Sequence, residues 1–522
     1  RAAVQAKQRE LPRSSLRLLD QALRLLPDKA DDWRRLVYLE RAKAKTTLRD
    51  LPGAREDALA GLALARDAGD DHDVARALTI RGEIEQKEGD LAASEPTLTE
   101  AVELARRVDR PHLLGEALRQ RGMTRLFGGD SAAAEDDIEE ALALARDAGL
   151  RQEEAWALWS LAWNAFVQSR LTDAEARLHE AMDLFRDIGD YGAAAWARGL
   201  LGWVRYFQGR RPEAEQLALS ILGKDAESGD RWARGMTLML LSGVRLWEGR
   251  TEEAIEPAAE ALRLFTEIDD ARGVLQATAG LARPLAASGR LEEARAVLDE
   301  HLGPVVNNLG ELQVGVMLAS TLLQVGDADE ALQTLVGQGV ERNIGGDLGR
   351  SEGRTLVGLA LLQLGDARHA AEELQPAADD APADGPRANA LAVLGLARVC
   401  LGAPDAALAA VAEVPGIEAS TYADRSMAAL VTGLASVQLG RVDQAMAAFD
   451  SCLAIVDATG DRLMQAVLRL GASEGMGAME HPASVGLRDD AESRLTAMRI
   501  EAAGWRNAFR LAASASAGIA SA

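Results

Sequence analysis

The side chains that stand out in this sequence for their type and spacing are tryptophans. Seven of the nine lie between Trp156 and Trp247. An indole offers a broad apolar face, an N–H donor and a π surface for cations, so such a cluster does recognition chemistry more readily than catalysis. In the run 156–166, Trp156, Trp159, Trp163 and Phe166 fall at i, i+3, i+7 and i+10, one face of a helix. Leu158, Leu161, Ala162 and Ala165 form a second apolar face, turned by roughly a right angle. A helix apolar on two faces is buried on both or lines a groove.

Groups with reactive potential are sparse. There is no GxxxxGK[ST] phosphate cradle, no Rossmann glycine fingerprint opening a helix and no HExxH. The six histidines (His72, His112, His179, His301, His369, His481) are scattered, without the close ligand spacing of a metal site. Cys400 lies in an apolar helical run beside Val399 and Leu401, which suits a buried structural thiol. The acidic run Glu135-Asp136-Asp137-Ile138-Glu139-Glu140 reads as a solvated outer helix face rather than a cation site. The sequence therefore predicts no catalysis, no cofactor and no metal.

The elements that must position the aromatic cluster follow from internal repeats. Turn residues recur at Gly89, Gly129, Ser169, Gly209, Gly249 and Gly289, each 40 positions after the last, and continue at Gly326, Gly365, Gly402 and Gly440. A second set of breakers, Gly69, Asp109, Gly149, Gly189, Gly229 and Asp269, lies between them, also 40 apart. Two breaks per period with helix-period apolar residues between them predict two antiparallel helices per repeat. Small residues keep fixed offsets from the turn. Five positions after it come Ala134, Ala174, Ala214, Ala254, Ala294, Ala331, Ala370, Ala407 and Ala445. Seven before it come Gly82, Gly122, Ala162, Gly202, Ser242, Ala282, Ala319, Gly358, Gly395 and Gly433. Small side chains there let paired helices approach closely, as a stacked array requires.

At these residues the chain resembles the tetratricopeptide repeat family, whose pattern is Leu-Gly, a turn Gly, then Ala and Ala. The second Ala appears as Ala101, Ala141, Ala181 and Ala261. The chain departs from the family where Glu85, Arg125, Ala165, Arg205 or Arg245 replaces the usual aromatic, and in its longer 40-residue period. Long periods of this kind are similar to the repeat arrays of large bacterial signalling ATPases and transcription activators. The resemblance implies an all-α, right-handed superhelical solenoid, here of about twelve antiparallel helix pairs. The sequence divides into a regular array over 1–302, a divergent array over 303–510 and a frayed tail over 511–522. Its register changes across the Gly-rich stretch 303–350, and a polar connector runs from Asp379 to Pro386. A helix is expected near 488–503.

Composition bounds the rest. The 522 residues exceed one ordinary core, and the 58 basic against 81 acidic residues give a net charge of −23. Such a surface argues against direct nucleic-acid or anionic-membrane binding. Two cysteines fit a reducing, cytoplasmic setting. An arginine-rich, lysine-poor composition points to a bacterial gene, and a first residue that is not Met suggests a piece of a larger protein.

In the tetratricopeptide family the concave groove is lined at offsets −13, −10, −6, −3 and −2 from the turn glycine. By that resemblance the groove here includes Met123 and Phe127 before Gly129; Trp156, Trp159, Trp163 and Phe166 before Ser169; Trp196, Trp203, Tyr206 and Phe207 before Gly209; and Met236, Met239 and Trp247 before Gly249. The same offsets before Gly89 hold Arg76, Thr79, Glu83, Gln86 and Lys87, which are polar. The expected function is a sensor or scaffold region that binds a peptide, a partner helix or a small apolar ligand in this groove. The alternative is a permanent assembly module whose groove is filled by another segment. Oligomeric state is left open by the sequence.

Overall fold

The computed structural model describes residues 12–27, 29–224, 231–301, 310–337 and 346–514. Among these residues the secondary structure is helical, with twenty-six α-helices from Pro12–Leu25 to Ala503–Ser514 and no strand. Twelve antiparallel pairs follow one another, from Asp31–Thr47 with Leu51–Ala68 to Arg462–Ala478 with Ala483–Ala497, leaving one unpaired helix at each end. The fold is thus the expected stack of about twelve helix pairs.

The breaks lie where the sequence puts them. Every turn residue of both series that falls within the described residues has positive φ, including the non-glycines Asp109, Ser169 and Asp269. Gly229 lies outside them. The second helices of the repeats start in one of two ways. Asp50, Asp90 and Asp130 accept the N–H of the residue three ahead, satisfying a donor the helix leaves open. At the same register Arg170, Arg210, Arg250 and Arg290 instead pair with the acid three ahead, at 2.7–3.0 Å.

Close packing explains the invariant small positions. The nine alanines five after each turn are all 0% exposed. A Cβ at Gly122 would lie 2.6 Å from Ile138, and one at Gly395 would lie 2.5 Å from Val411, so the paired helices meet with no room for a methyl group. The charged residues that replace the family's aromatic are paired: Glu85 with Arg81, Arg125 with Asp137 and Glu95, Arg245 with Glu215.

By contacts the chain forms two compact units, Arg1–Phe166 with Arg170–Leu201, and Val167–Ser169 with Gly202–Ala522. The register change expected over 303–350 falls partly outside the described residues. In the first unit a Cβ added at the turn glycines 69, 89, 129, 149 and 189 would meet nothing within 4 Å. The second unit is organised differently, since its later repeats return to cover the turn edge of its earlier ones. A Cβ at Gly209 would stand 2.6 Å from the Ala419 Cα, one at Gly249 2.5 Å from Thr459, and one at Gly326 3.0 Å from the Ala502 Cα. Hydrogen bonds seal the contact. Arg211 donates to the carbonyls of Ala419 and Ser420, and the Gly460 N–H donates to the Gly249 carbonyl at 2.7 Å. Trp505 Nε1 donates to the Gln324 carbonyl and Asn507 Nδ2 to that of Gln363, both at 3.1 Å.

Three expectations are corrected. The helix placed near 488–503 spans Ala483–Ala497, because Arg499 and Ala502 take positive φ and end it. The final helix runs through Ser514 with Ala512 buried, so 511–514 are helical rather than frayed, and 515–522 lie outside the described residues. The acidic run 135–140 is not simply solvated. Asp137 is buried, bidentate with Arg121 at 2.7 and 2.8 Å and bonded to Arg125 at 3.0 Å, while Ile138 is core.

Candidate binding surface

In the first unit the aromatic residues sit on helices Arg151–Val167 and Tyr191–Phe207, each fixed by a packing layer of its own. Leu158, Leu161, Ala162 and Ala165 are buried, as expected for the packing face. The tryptophans form a second layer, in edge contact with one another. Trp159 is central, with ring centroids 5.7 Å from Trp156, 5.5 Å from Trp163 and 6.1 Å from Trp196. Trp163 continues to Phe166 at 6.4 Å, and Trp156 backs onto Phe185 at 5.1 Å.

Burial divides the residues expected in the groove. Trp159 at 8% and Met123 at 5% exposure are buried, so they support the surface rather than form it. Phe127, Trp156, Trp163, Phe166 and Trp196 are half-buried. Trp159 Nε1 is buried with no hydrogen-bond partner, a donor left unsatisfied inside the cluster. Beside the aromatics the surface turns polar. Lys43 pairs with Glu116, Arg76 with Glu40 and Lys87 with Glu83, and the Arg119 guanidinium lies 5.9 Å over the Trp156 ring. Glu116 beside it raises the Lys43 pKa, against the opposing effect of burial.

In the second unit Trp203, Tyr206 and Phe207 make a compact triad, with centroids 5.0–6.4 Å apart. All three are half-buried, as are Met236, Met239 and Trp247. Met236 and Met239 pack partly against the core. The structure thus gathers the expected residues into two groups, one in each unit.

Polar groups adjoin this cluster, among them Arg283, which the family's −6 offset before Gly289 places in the groove. Arg283 lies 4.0 Å over the Trp247 ring, and its charge is felt by Tyr206, Glu352, Tyr422 and Asp461. Tyr422 donates to Asp461 at 2.6 Å, and burial raises the Asp461 pKa to about 6. Arg283 and Glu352 do occupy groove offsets, −6 from Gly289 and −13 from Gly365, but neighbours of low character conceal them.

Other reactive groups have structural partners. Cys400 and Cys452 are free and buried, and burial pushes both thiols up to about 12, far from a reactive thiolate. Asp70, His72 and Asp73 could place three ligand atoms within 4.8 Å of one another. Arg35 already holds both carboxylates, at 3.0 and 2.6 Å, and so supplies the cation. Among the described residues no helix is long and apolar enough to cross a membrane.

Fold and surface together define an all-α helical-repeat protein. Residues 73–147 match the tetratricopeptide repeat family, and the resemblance read from the turn and small-residue pattern stands. No curated protein matches the chain in sequence. Among solved structures it is similar to NprR in complex with its cognate peptide NprX, at 14% identity over 68% of this chain and 98% of that one, with a TM-score of 0.48. Rap complexed with Competence and Sporulation Factor matches at 14% identity over 66% and 91%, TM-score 0.46. A signal transduction ATPase with a tetratricopeptide repeat sensor from Pyrococcus horikoshii matches at 18% over 52% and 42%, TM-score 0.36.

Proposed function

We propose that this chain is a non-enzymatic sensor or scaffold region of a larger bacterial regulatory protein, binding a peptide, a partner helix or a small apolar ligand through its aromatic surface. The observation that carries this reading is the second aromatic layer in the first unit. The packing face of helix Arg151–Val167 is filled by Leu158, Leu161, Ala162 and Ala165, yet Trp163 and Phe166 stand half-buried on another face. Aromatics in excess of packing mark recognition surfaces. NprR is described in complex with its cognate peptide NprX and Rap with Competence and Sporulation Factor; the present reading rests on this chain's own surface.

The test is a random-peptide selection on the full chain, repeated with a Trp163→Ala variant and, separately, with a Trp203→Ala variant. The expected result is selected peptides that lose at least about tenfold in affinity, ~1.4 kcal/mol, in a variant that stays folded. A variant destabilised by roughly 3–5 kcal/mol per tryptophan would make the layer core and end the proposal. A chain that is oligomeric until those tryptophans are removed would favour the permanently filled groove instead.

A further inference from the structure

Histidines that read as scattered along the chain include two that exactly one repeat separates. His72 and His112 lie 40 positions apart, each the second residue of its helix, Asp71–Lys87 and Pro111–Phe127. A stack with that period sets equivalent positions side by side. The two imidazole centroids stand 6.3 Å apart, with their planes tilted by 50°. Neither ring belongs to a core: the His72 side chain is 39% exposed and His112 is exposed. Packing therefore does not call for imidazoles here.

One of the two rings is held in place. His72 Nδ1 lies 3.2 Å from Asp73 Oδ1. Asp73 is buried, and its other oxygen accepts from Arg35 Nε at 2.6 Å, so the carboxylate is fixed from behind. A carboxylate at Nδ1 favours the tautomer that carries its proton there and leaves Nε2 with a free lone pair. Histidines that ligate metals are oriented by an outer carboxylate in this way. Arg35 keeps Asp70 and Asp73 from acting as ligands themselves, and the same pairing makes Asp73 a firm support for the ring. Among the described residues, His72 Nε2 and both His112 nitrogens have no hydrogen-bond or ion-pair partner.

The separation of the rings suits a shared ion. Bonds of about 2.0–2.1 Å from Zn²⁺ to nitrogen put each ring centroid about 3 Å from the metal, so two imidazoles on one ion have centroids about 5–6 Å apart. Rotation of two exposed side chains closes the small difference that remains. We infer that His72 and His112 together bind one divalent transition-metal ion of the Zn²⁺ class through their Nε2 atoms, and so link two adjacent repeats of the first unit. Imidazole nitrogens select such ions over Mg²⁺ and Ca²⁺, which prefer oxygen. Two protein ligands leave the remaining positions to water. The site shares no residue with the aromatic surface, so it stands or falls independently of the proposed function.

Zn²⁺ titrated calorimetrically into the full chain at about pH 7.5, where imidazole is neutral, should fill one site. His72→Ala and His112→Ala should each weaken binding at least about tenfold. The double variant should lose little more, since one imidazole alone does not hold the ion. His179→Ala, which removes an exposed imidazole from another repeat, should change nothing. Affinity should fall as pH drops below about 6.5, because protons and metal compete for the same nitrogens, and Mg²⁺ should not displace Zn²⁺. Zn²⁺ should also raise the thermal midpoint of the full chain but not that of either single variant. Circular dichroism confirms that each variant is folded. No saturable binding, or Zn²⁺ binding that survives the loss of either histidine, overturns the inference.

Discussion

Replacing Gly209 by alanine, with Gly129→Ala as its control, isolates the contact that closes the second unit. Both glycines hold the same turn position, with φ of +82 and +89. An L-residue in that region costs about 1–2 kcal/mol. At Gly129 the added methyl meets nothing within 4 Å, so the backbone cost is the whole cost. At Gly209 it would lie 2.6 Å from the Ala419 Cα and 2.8 Å from its N. Those are main-chain atoms, held by Arg211 through hydrogen bonds of 2.5 and 3.3 Å, and no side chain can swing aside to make room. Overpacking of this kind adds about 1–3 kcal/mol, so Gly209→Ala should cost roughly 2–5 kcal/mol. Urea denaturation of the full chain gives the comparison, and hydrogen exchange at residues 417–425 gives the location. Exchange there should quicken in Gly209→Ala and stay unchanged in Gly129→Ala. Equal losses of stability, or unaltered exchange in both, would refute the closure.

Asp461 is 1% exposed with its pKa raised to about 6, so it binds its proton more tightly folded than unfolded. Its protonated form stabilises the fold fully below the unfolded value near 3.8, and that contribution, about 3 kcal/mol, is lost as pH rises through 6. Asp461→Asn keeps the cap acceptor without the charge, and should flatten the loss of stability between about pH 4 and 6 and raise stability at pH 8; an unchanged pH profile by thermal denaturation would count against it. Asp137→Ala strands the Arg121 guanidinium beside a buried site, while Arg125 keeps Glu95, and should cost about 3 kcal/mol. Glu140→Ala removes only an exposed partner of Arg106 and should cost at most about 1 kcal/mol. Urea midpoints of the two variants decide whether the acidic run is structural.

Much of the fold was legible because its demands are local and recur. A left-handed turn needs glycine, or the occasional Asp or Ser, whatever surrounds it, so the periodic breaks located the turns. The position of Ala134 and its equivalents was legible for a related reason: each repeat packs on the next in the same way, so the same small residue returns. Asp137 was misread because its partners Arg121 and Arg125 lie on the preceding helix, where sequence spacing does not show that they face it. The surface was only partly legible. Helical spacing found the tryptophans, but Trp159 and Trp163 have equivalent sequence patterns, and only their neighbours make one buried and the other half-exposed. Arg283 sits at a groove offset before Gly289, but three other offsets of that repeat hold Ala279, Ala286 and Ala287, so position alone did not mark it.

The return of the second unit onto its own turn edge changes how this chain can be made. Its sealing hydrogen bonds join residues 144 to 211 positions apart. A nascent chain grows at roughly 5–20 residues per second, so the edge at Gly249 waits about 10–40 s for the segment that covers it. During that interval the carbonyls of Gly249, Gln324 and Gln363 lack the donors that later arrive from Gly460, Trp505 and Asn507. A purely local stack can complete each layer as it emerges. This one must hold half of a contact open until its last helix has been synthesised, which makes the order of synthesis part of its folding problem.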